Sequence, residues 1–431
     1  MSPEYVSPQP VLMNSVLLVI FFLGYLAIVL EHPLGVNKTA SALLTGILCW
    51  TILATGSENT AQILPELAHH LSGISEILFF LLGAMTIVEV IDSHYGFRKI
   101  TGLIQTGSPV RLLWVISWLA FFLSALLDNL TTAIVLSSII GKMVSDRTWK
   151  LYMVSMVVIA ANAGGAWSPI GDVTTTMLWV GGQIETVSLI KTLFIPSVVS
   201  LLIPLLICSI WLKNLPFKKE EVRAGSDFPP GTVLVLAVGA GGLVMVPVFK
   251  NVTHLPPYLG ILLVLGLVWI LTETLHRRQS QEDKSRLTPA HALSRIDTPS
   301  ILFFLGILLA VSALETAGIL HASAIWLDGI TNSKSVIMGI IGIASAVVDN
   351  VPLVAAAIGM YDLESFPSGS PIWMELAFAA GTGGSILIIG SAAGVAVMGM
   401  EKIDFLWYLK RISLLAFSGF ISGYLLLLAI L

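Results

Sequence analysis

Cysteine is nearly missing from this chain: Cys49 and Cys208 are the only two in 431 residues, and each sits inside an apolar run. A disulfide framework and a cysteine-ligated metal are thereby excluded. Charge is scarce as well, at 11% Asp, Glu, Lys and Arg against 56% hydrophobic residues, with a mean hydropathy of +0.91. The formal net charge of −4 says little by itself, since the placement of Lys and Arg matters more than their sum, and no nucleic-acid partner is expected. The segment ahead of the first apolar run, MSPEYVSPQPVLMN, has neither a basic region nor a small-residue cleavage site, so that run reads as a retained helix. What remains is the composition of an all-α, polytopic membrane protein, because lipid leaves backbone groups only helical partners in such a chain.

One stretch organises the rest. Leu112 to Gly141 is apolar except at its centre, Asp128-Asn129, with Thr131 and Thr132 just after. As one straight helix it would be roughly 45 Å long, well beyond the roughly 30 Å hydrocarbon core. A helical hairpin that enters, turns at Asp128-Asn129 and leaves by the same face resolves both the length and the buried charge. Asp and Asn suit the turn, since they cap the returning helix and tolerate tight backbone conformations. Such a tip survives at membrane depth only inside protein or beside a water-filled cavity.

The apolar spans fall at about 11–30, 39–55 and 74–91, followed by the hairpin at 110–143, a broken helix at 149–182 and a span at 189–212. After a polar linker at 214–228 come spans at 230–249, 258–275 and 298–317, a second hairpin at 335–360, a second broken helix at 371–400 and a last span at 405–430. Segments 58–72, 93–107 and 319–331 read as interfacial helices. The two halves, 1–213 and 229–431, repeat. SALLDNLTTAIVL from Ser124 matches SAVVDNVPLVAAA from Ser345 at an offset of 221, and Gly164, Gly165 and Gly171 return as Gly383, Gly384 and Gly390 at an offset of 219. Paired polar tips and paired glycine-broken helices are the pattern of a transporter with internal repeats.

Lysine and arginine placement tests the hairpins. If each returns to its own face, every half has five crossings, 19 of the 22 cations lie on one side, and only Lys191, Lys250 and Lys334 lie on the other. With single crossings instead, the asymmetry vanishes. The positive-inside rule therefore gives inverted repeats with both termini outside the cytoplasm, as in a bacterial inner (cell) membrane.

The chemistry-bearing residues gather at the tips and breaks. Asp128, Asn129 and Thr131 mark the first tip, and Ser345, Asp349 and Asn350 the second; Asn162, Asp172, Thr174 and Thr175 surround the first break, and Ser385 the second. Carboxylate, carbonyl and hydroxyl oxygens suit a hard cation such as Na⁺ or Li⁺, with Asp128, Asp349 and Asp172 as the charged ligands. Carboxylates crowded together repel, so protons and cations compete for the same oxygens. Intramembrane acids are functional by default, though Asp172 could also be a plain N-cap at a helix restart, and the threonines could merely satisfy backbone carbonyls. Glu89 and Glu315, near the ends of corresponding spans, line a proton path or sit as interfacial carboxylates. His69, His70 and His94 titrate in a sensor's range, but a solvated loop histidine is the commoner case. The Gly-x-Gly-Asp and Pro-Ala-Leu motifs of intramembrane aspartyl proteases are missing, and a transporter rather than an enzyme is expected.

Taken together, LLDNLTTAIVL, NAGGAWSPIGDVTTTMLW, SAVVDNVPLVAA and GTGGSILIIGSAAG resemble the NhaD-type sodium/proton antiporters, part of an ion-transporter superfamily that includes arsenite pumps and dicarboxylate carriers. The resemblance implies exchange of Na⁺ or Li⁺ for protons at alkaline pH without a cofactor. It also implies a homodimer in which a transport domain slides against a scaffold. An efflux carrier for arsenite or another oxyanion or organic anion is the alternative. The dicarboxylate carriers show Ser-Asn-Thr where this chain has Asp-Asn, and Ser391 stands where the second half would repeat Asp172.

Overall fold

The computed structural model describes residues 11–56, 60–101, 108–213, 228–277, 287–331 and 333–431, and these are helices joined by turns. The expected polar linker at 214–228 lies almost wholly outside the described residues. In chain order the helices are α1 (Val11–Val29), α2 (Glu31–Leu34), α3 (Lys38–Gly56), α4 (Thr60–Ser93), α5 (Gly96–Thr101), α6 (Pro109–Ser124) and α7 (Asn129–Met143). Next come α8 (Arg147–Ala166), α9 (Val173–Val180), α10 (Thr186–Leu212), α11 (Thr232–Thr253), α12 (Pro257–Leu275) and α13 (Pro289–Arg295). The remainder are α14 (Thr298–Thr316), α15 (Ile319–Ile330), α16 (Lys334–Ala344), α17 (Asn350–Met360), α18 (Pro371–Gly383), α19 (Ala392–Glu401), α20 (Phe405–Arg411) and α21 (Ser413–Ile430). Seven of the described helices are long and apolar enough to cross a membrane: α3, most of α4, α10, α11, α12, α14 and α21. The chain is an integral, polytopic, all-α membrane protein.

Three details differ from the sequence reading. Residues 60–93 form one helix rather than an interfacial segment plus a span, because the lone Gly73 between them does not interrupt it. The last span divides at Ile412 into α20 and α21. The turns between α6 and α7 and between α16 and α17 span residues 125–128 and 345–349, wider than a two-residue tip, and Asn129 and Asn350 already open the returning helices.

The chain forms two compact units. The first comprises residues 1–78, 297–333 and 351–366. Within it α3 and α14 cross with backbones in contact: a Cβ added at Gly46 would lie 2.4 Å from the Gly306 carbonyl oxygen. Trp50 donates from Nε1 to the Leu309 carbonyl at 2.9 Å across the same crossing. Small residues that let backbones touch are how helices associate where lipid gives no hydrophobic drive.

The second unit comprises residues 79–296, 334–350 and 367–431 and holds both polar turns and both broken helices. Its core runs through Phe121, Trp149, Leu201, Ile388 and Tyr408, all fully buried. The break between α8 and α9 is forced at Pro169, which has no N–H and keeps Ser168 out of the helical region. The helix nevertheless continues through Asn162 and the glycines to Ala166, beyond the expected break point. Those glycines serve close approach: a Cβ at Gly164 would meet the Phe121 carbonyl oxygen at 2.1 Å, and one at Gly171 the Ser124 carbonyl oxygen at 2.8 Å. The second half repeats these contacts, with Gly383 against the Gly342 carbonyl oxygen at 1.9 Å and Gly390 against that of Ser345 at 2.5 Å. The hydroxyls match too. Ser124 donates to the Ala161 carbonyl at 2.6 Å and Ser345 to that of Ala380 at 3.0 Å.

A methyl group at these positions has nowhere to go. Gly383→Ala is expected to destabilise the protein by about 1–3 kcal/mol through overpacking. Gly241→Ala, whose Cβ would meet nothing within 4 Å, is expected to leave it unchanged or firmer. Thermal melts in detergent compare the two.

Candidate cation site

Among the three acids, Asp172 is the one that accepts hydrogen bonds from both polar turns. It is 2% exposed and stands at the N-cap position of α9, yet its side chain makes no capping bond. Its counterpart Ser391 does cap, accepting from the Gly394 N–H at 3.2 Å. The Asp172 carboxylate is turned instead toward Thr174 of its own helix and toward side chains from both polar turns. Asn129 donates to Oδ1 from Nδ2 at 3.0 Å, Asn350 donates to Oδ2 at 3.3 Å, and Thr174 donates a short bond to Oδ2. An asparagine from each polar turn thus meets one carboxylate from the first break.

The network extends through Asn162, which is completely buried on α8. Its Oδ1 accepts a second bond from Asn129 Nδ2 at 3.0 Å, and its Nδ2 donates to Ser385 Oγ at 2.9 Å and Ser391 Oγ at 3.1 Å. Both breaks and both turns therefore share one hydrogen-bonded cluster. The nitrogen end of each turn asparagine is committed to Asp172, so its carbonyl oxygen is the end left to offer a cation. Thr132 and Thr175 are fully buried with hydroxyl oxygens that have no hydrogen-bond partner among the described residues. A buried hydroxyl left without a partner is costly, and an ion or water would relieve it.

The turn carboxylates have a second duty. Asp128 caps α7: the Thr131 N–H donates to Oδ1 at 2.6 Å and the Thr131 hydroxyl to Oδ2 at 2.9 Å. Its backbone sits at φ 140°, ψ 164°, a conformation glycine adopts and other residues reach at a cost of order 1–3 kcal/mol. Asp349 occupies the residue before α17, as Asp128 does before α7, and is likewise half-buried. Both act electrostatically on Asp172 as like charges. Among the described residues no three of His, Cys, Asp and Glu converge as a metal cage. The oxygens available around Asp172 are hydroxyls and amide carbonyls.

Two residues escaped the sequence reading. Tyr408 donates to the Ser385 carbonyl at 2.9 Å, bracing the second break, and nothing in the apolar run around it signals that role. Thr132 stands beside Thr131 in the motif and was passed over in its favour. The remaining expected residues lie elsewhere. Ser345 ties its turn to α18 through the Ala380 carbonyl. Glu89 is ion-paired with Arg295 at 3.1 Å. Glu315, in the first unit, is exposed and lies against Gly359. His70 Nε2 is 3.1 Å from the Thr316 hydroxyl, whereas His94, past the end of α4, is buried with Nε2 2.9 Å from His276 Nε2. Burial, and then His276, push the His94 imidazole below its ordinary range despite the Val90 carbonyl, so it is neutral at neutral pH.

The chain matches the family profile described as "CitMHS: Citrate transporter" over residues 25–374. It is 51% identical over 406 residues to sodium/proton antiporter 1 of Arabidopsis thaliana, covering 94% of this chain and 70% of that protein. To sodium/proton antiporter 2 of the same plant it is 47% identical over 95% of this chain and 98% of the relative. The Na⁺/H⁺ antiporter NhaD of Vibrio cholerae is 30% identical over 91% of this chain and 87% of the relative. With that profile matching most of its length and these relatives 30% to 51% identical, the chain belongs to the CitMHS family of transporters, among its NhaD-type members.

Proposed function

We propose that this protein exchanges Na⁺ or Li⁺ for H⁺ across its membrane, with cation and proton competing for Asp172. The observation that carries this is a fully buried carboxylate receiving donors from both polar turns. A naked charge there is expensive, and hydrogen bonds, a proton or a metal ion each offset part of the cost. When a cation arrives, the amides of Asn129 and Asn350 turn their carbonyl oxygens toward it, and Thr174, Thr175 and Thr132 complete an oxygen shell. When a proton takes the carboxylate instead, the asparagines keep a neutral partner and the cation loses its directly ligating counter-charge. Asp128 and Asp349 add negative potential that draws cations to the turns, Asp128 while also capping its helix. The two helix pairs act as re-entrant hairpins of inverted repeats in this reading.

The family description names citrate, and an anion carrier on the same framework is the rival. A carboxylate at the hub opposes that: an anion would meet repulsion from Asp172 with Asp128 and Asp349 close by. The names of the plant and bacterial relatives agree with a cation substrate.

Addition of Na⁺ or Li⁺ to vesicles holding an acid interior is expected to dissipate ΔpH, read by dequenching of a pH-gradient dye; citrate or arsenite is expected to do nothing. Asp172→Asn removes a charge interacting at about 4 Å, about 4 kcal/mol at an effective dielectric of about 20 and on the order of a thousandfold in cation affinity. Asp128→Asn keeps a capping side chain at its helix, and it and Asp349→Asn are expected to cost about tenfold or more, the share due to longer-range attraction. Intact exchange in Asp172→Asn would end this reading.

Both termini are proposed to be non-cytoplasmic, in a bacterial inner membrane. In a background without Cys49 and Cys208, an impermeant maleimide is expected to label Lys191→Cys from outside intact cells and Lys410→Cys only after permeabilisation. The expected homodimer is part of the same proposal, read by cross-linking in membranes.

A further inference from the structure

Glu375 belongs to no motif and takes no part in the Asp172 network. It lies on α18, about two turns before the second break, and is 4% exposed between Met374 and Leu376. Its Oε1 accepts from the Ser335 hydroxyl at 3.0 Å, and its Oε2 lies 3.0 Å from the Tyr424 hydroxyl. The same Tyr424 hydroxyl lies 2.6 Å from the Ser335 backbone carbonyl. A phenol has one proton, and a backbone carbonyl can only accept. At 2.6 Å that proton belongs between Tyr424 and the carbonyl, since two bare oxygens would repel there. The contact between Tyr424 and Oε2 then needs a proton from the other side, and Glu375 is the group that can supply it.

The matching position in the first half, 219 residues earlier, is Met156, also fully buried. The shared frame is thus built with a thioether at this place, and packing alone does not call for an acid. The groups acting on Glu375 are Ser335 from α16 and Tyr424 from α21; Lys334, the residue before Ser335, is the charge nearest in sequence at that helix end. α16 is closely fitted here, with Gly339 under the Tyr424 ring and Gly342 against Phe420 and Ala379.

We infer that Glu375 is a proton-binding site beside the second hairpin, separate from the Asp172 site, and that its proton decides which partner the Tyr424 hydroxyl holds. With Glu375 protonated, Tyr424 donates to the Ser335 carbonyl and fastens the first turn of α16 to α21. When the proton leaves to water, the carboxylate takes the Tyr424 hydroxyl by rotation about the C–O bond, and the Ser335 carbonyl loses that donor. No covalent bond other than the acid's O–H changes. The hairpin arm leading to Asp349 and Asn350 is therefore held at low pH and released as pH rises. Its link to transport rests on the exchange reading; the protonation itself does not.

Two measurements test this. Infrared spectra of the purified protein across a pH titration are expected to show a protonated-carboxyl band at neutral pH that vanishes in Glu375→Gln. Exchange in vesicles is then followed against pH. The glutamine amide both donates and accepts, so it keeps the contacts to Ser335 and Tyr424, and a merely structural residue would leave the pH profile in place. The expectation is that Glu375→Gln stays fastened and moves the rising limb upward by about one pH unit or more, while Tyr424→Phe, with no hydroxyl to fasten, moves it downward. No band lost in Glu375→Gln, or unmoved profiles in both variants, would overturn the inference. A protein showing the band but no cation-driven exchange would refute the antiport reading and leave the Glu375 assignment standing.

Discussion

The site depends on one constraint: a carboxylate inside a membrane protein must be answered by donors, a proton or a cation. Asp172 receives its donors from Asn129 and Asn350, which open the helices after the two polar turns. Everything around the pair serves to bring those two turns to one point. The glycines let α6 lie on α8 and α16 on α18 at backbone distance, the serines tie each turn to its neighbouring broken helix, and Asn162 links the two breaks through Ser385 and Ser391. Displacing either turn would strip a donor from a buried charge, a loss larger than that of an ordinary hydrogen bond.

The halves are alike in frame and unlike in charge. Corresponding glycine-to-carbonyl contacts and serine ties recur in both, yet Asp172 meets Ser391 across the repeat and Glu375 meets Met156. Ser391 spends its oxygen on capping α19, while Asp172 leaves α9 without a side-chain cap and spends its own on the asparagines.

Much of this was legible in the chain itself. An Asp-Asn pair in the middle of a 30-residue apolar run cannot sit in a straight helix, so the turns announce themselves, and the offsets between halves pair them. The first break was legible too: it falls at residues 167–172, largely within the glycine-rich stretch, although Gly164 and Gly165 themselves are contact points inside α8. The bonding of each acid was not legible. A carboxylate before a helix reads the same whether it caps, as Asp128 does, or turns away, as Asp172 does. Tyr408 and Glu375 were invisible for a related reason: a single polar atom in an apolar run means nothing until its partner from another helix is known.

The backbone contacts at Gly164, Gly171, Gly383 and Gly390 carry a mechanical consequence. With no side chain between the touching carbonyls and α-carbons, there is no compliant layer to shear. Each turn and its broken helix therefore form a single stiff cartridge, in which the tip has no room to slide along its own neighbour.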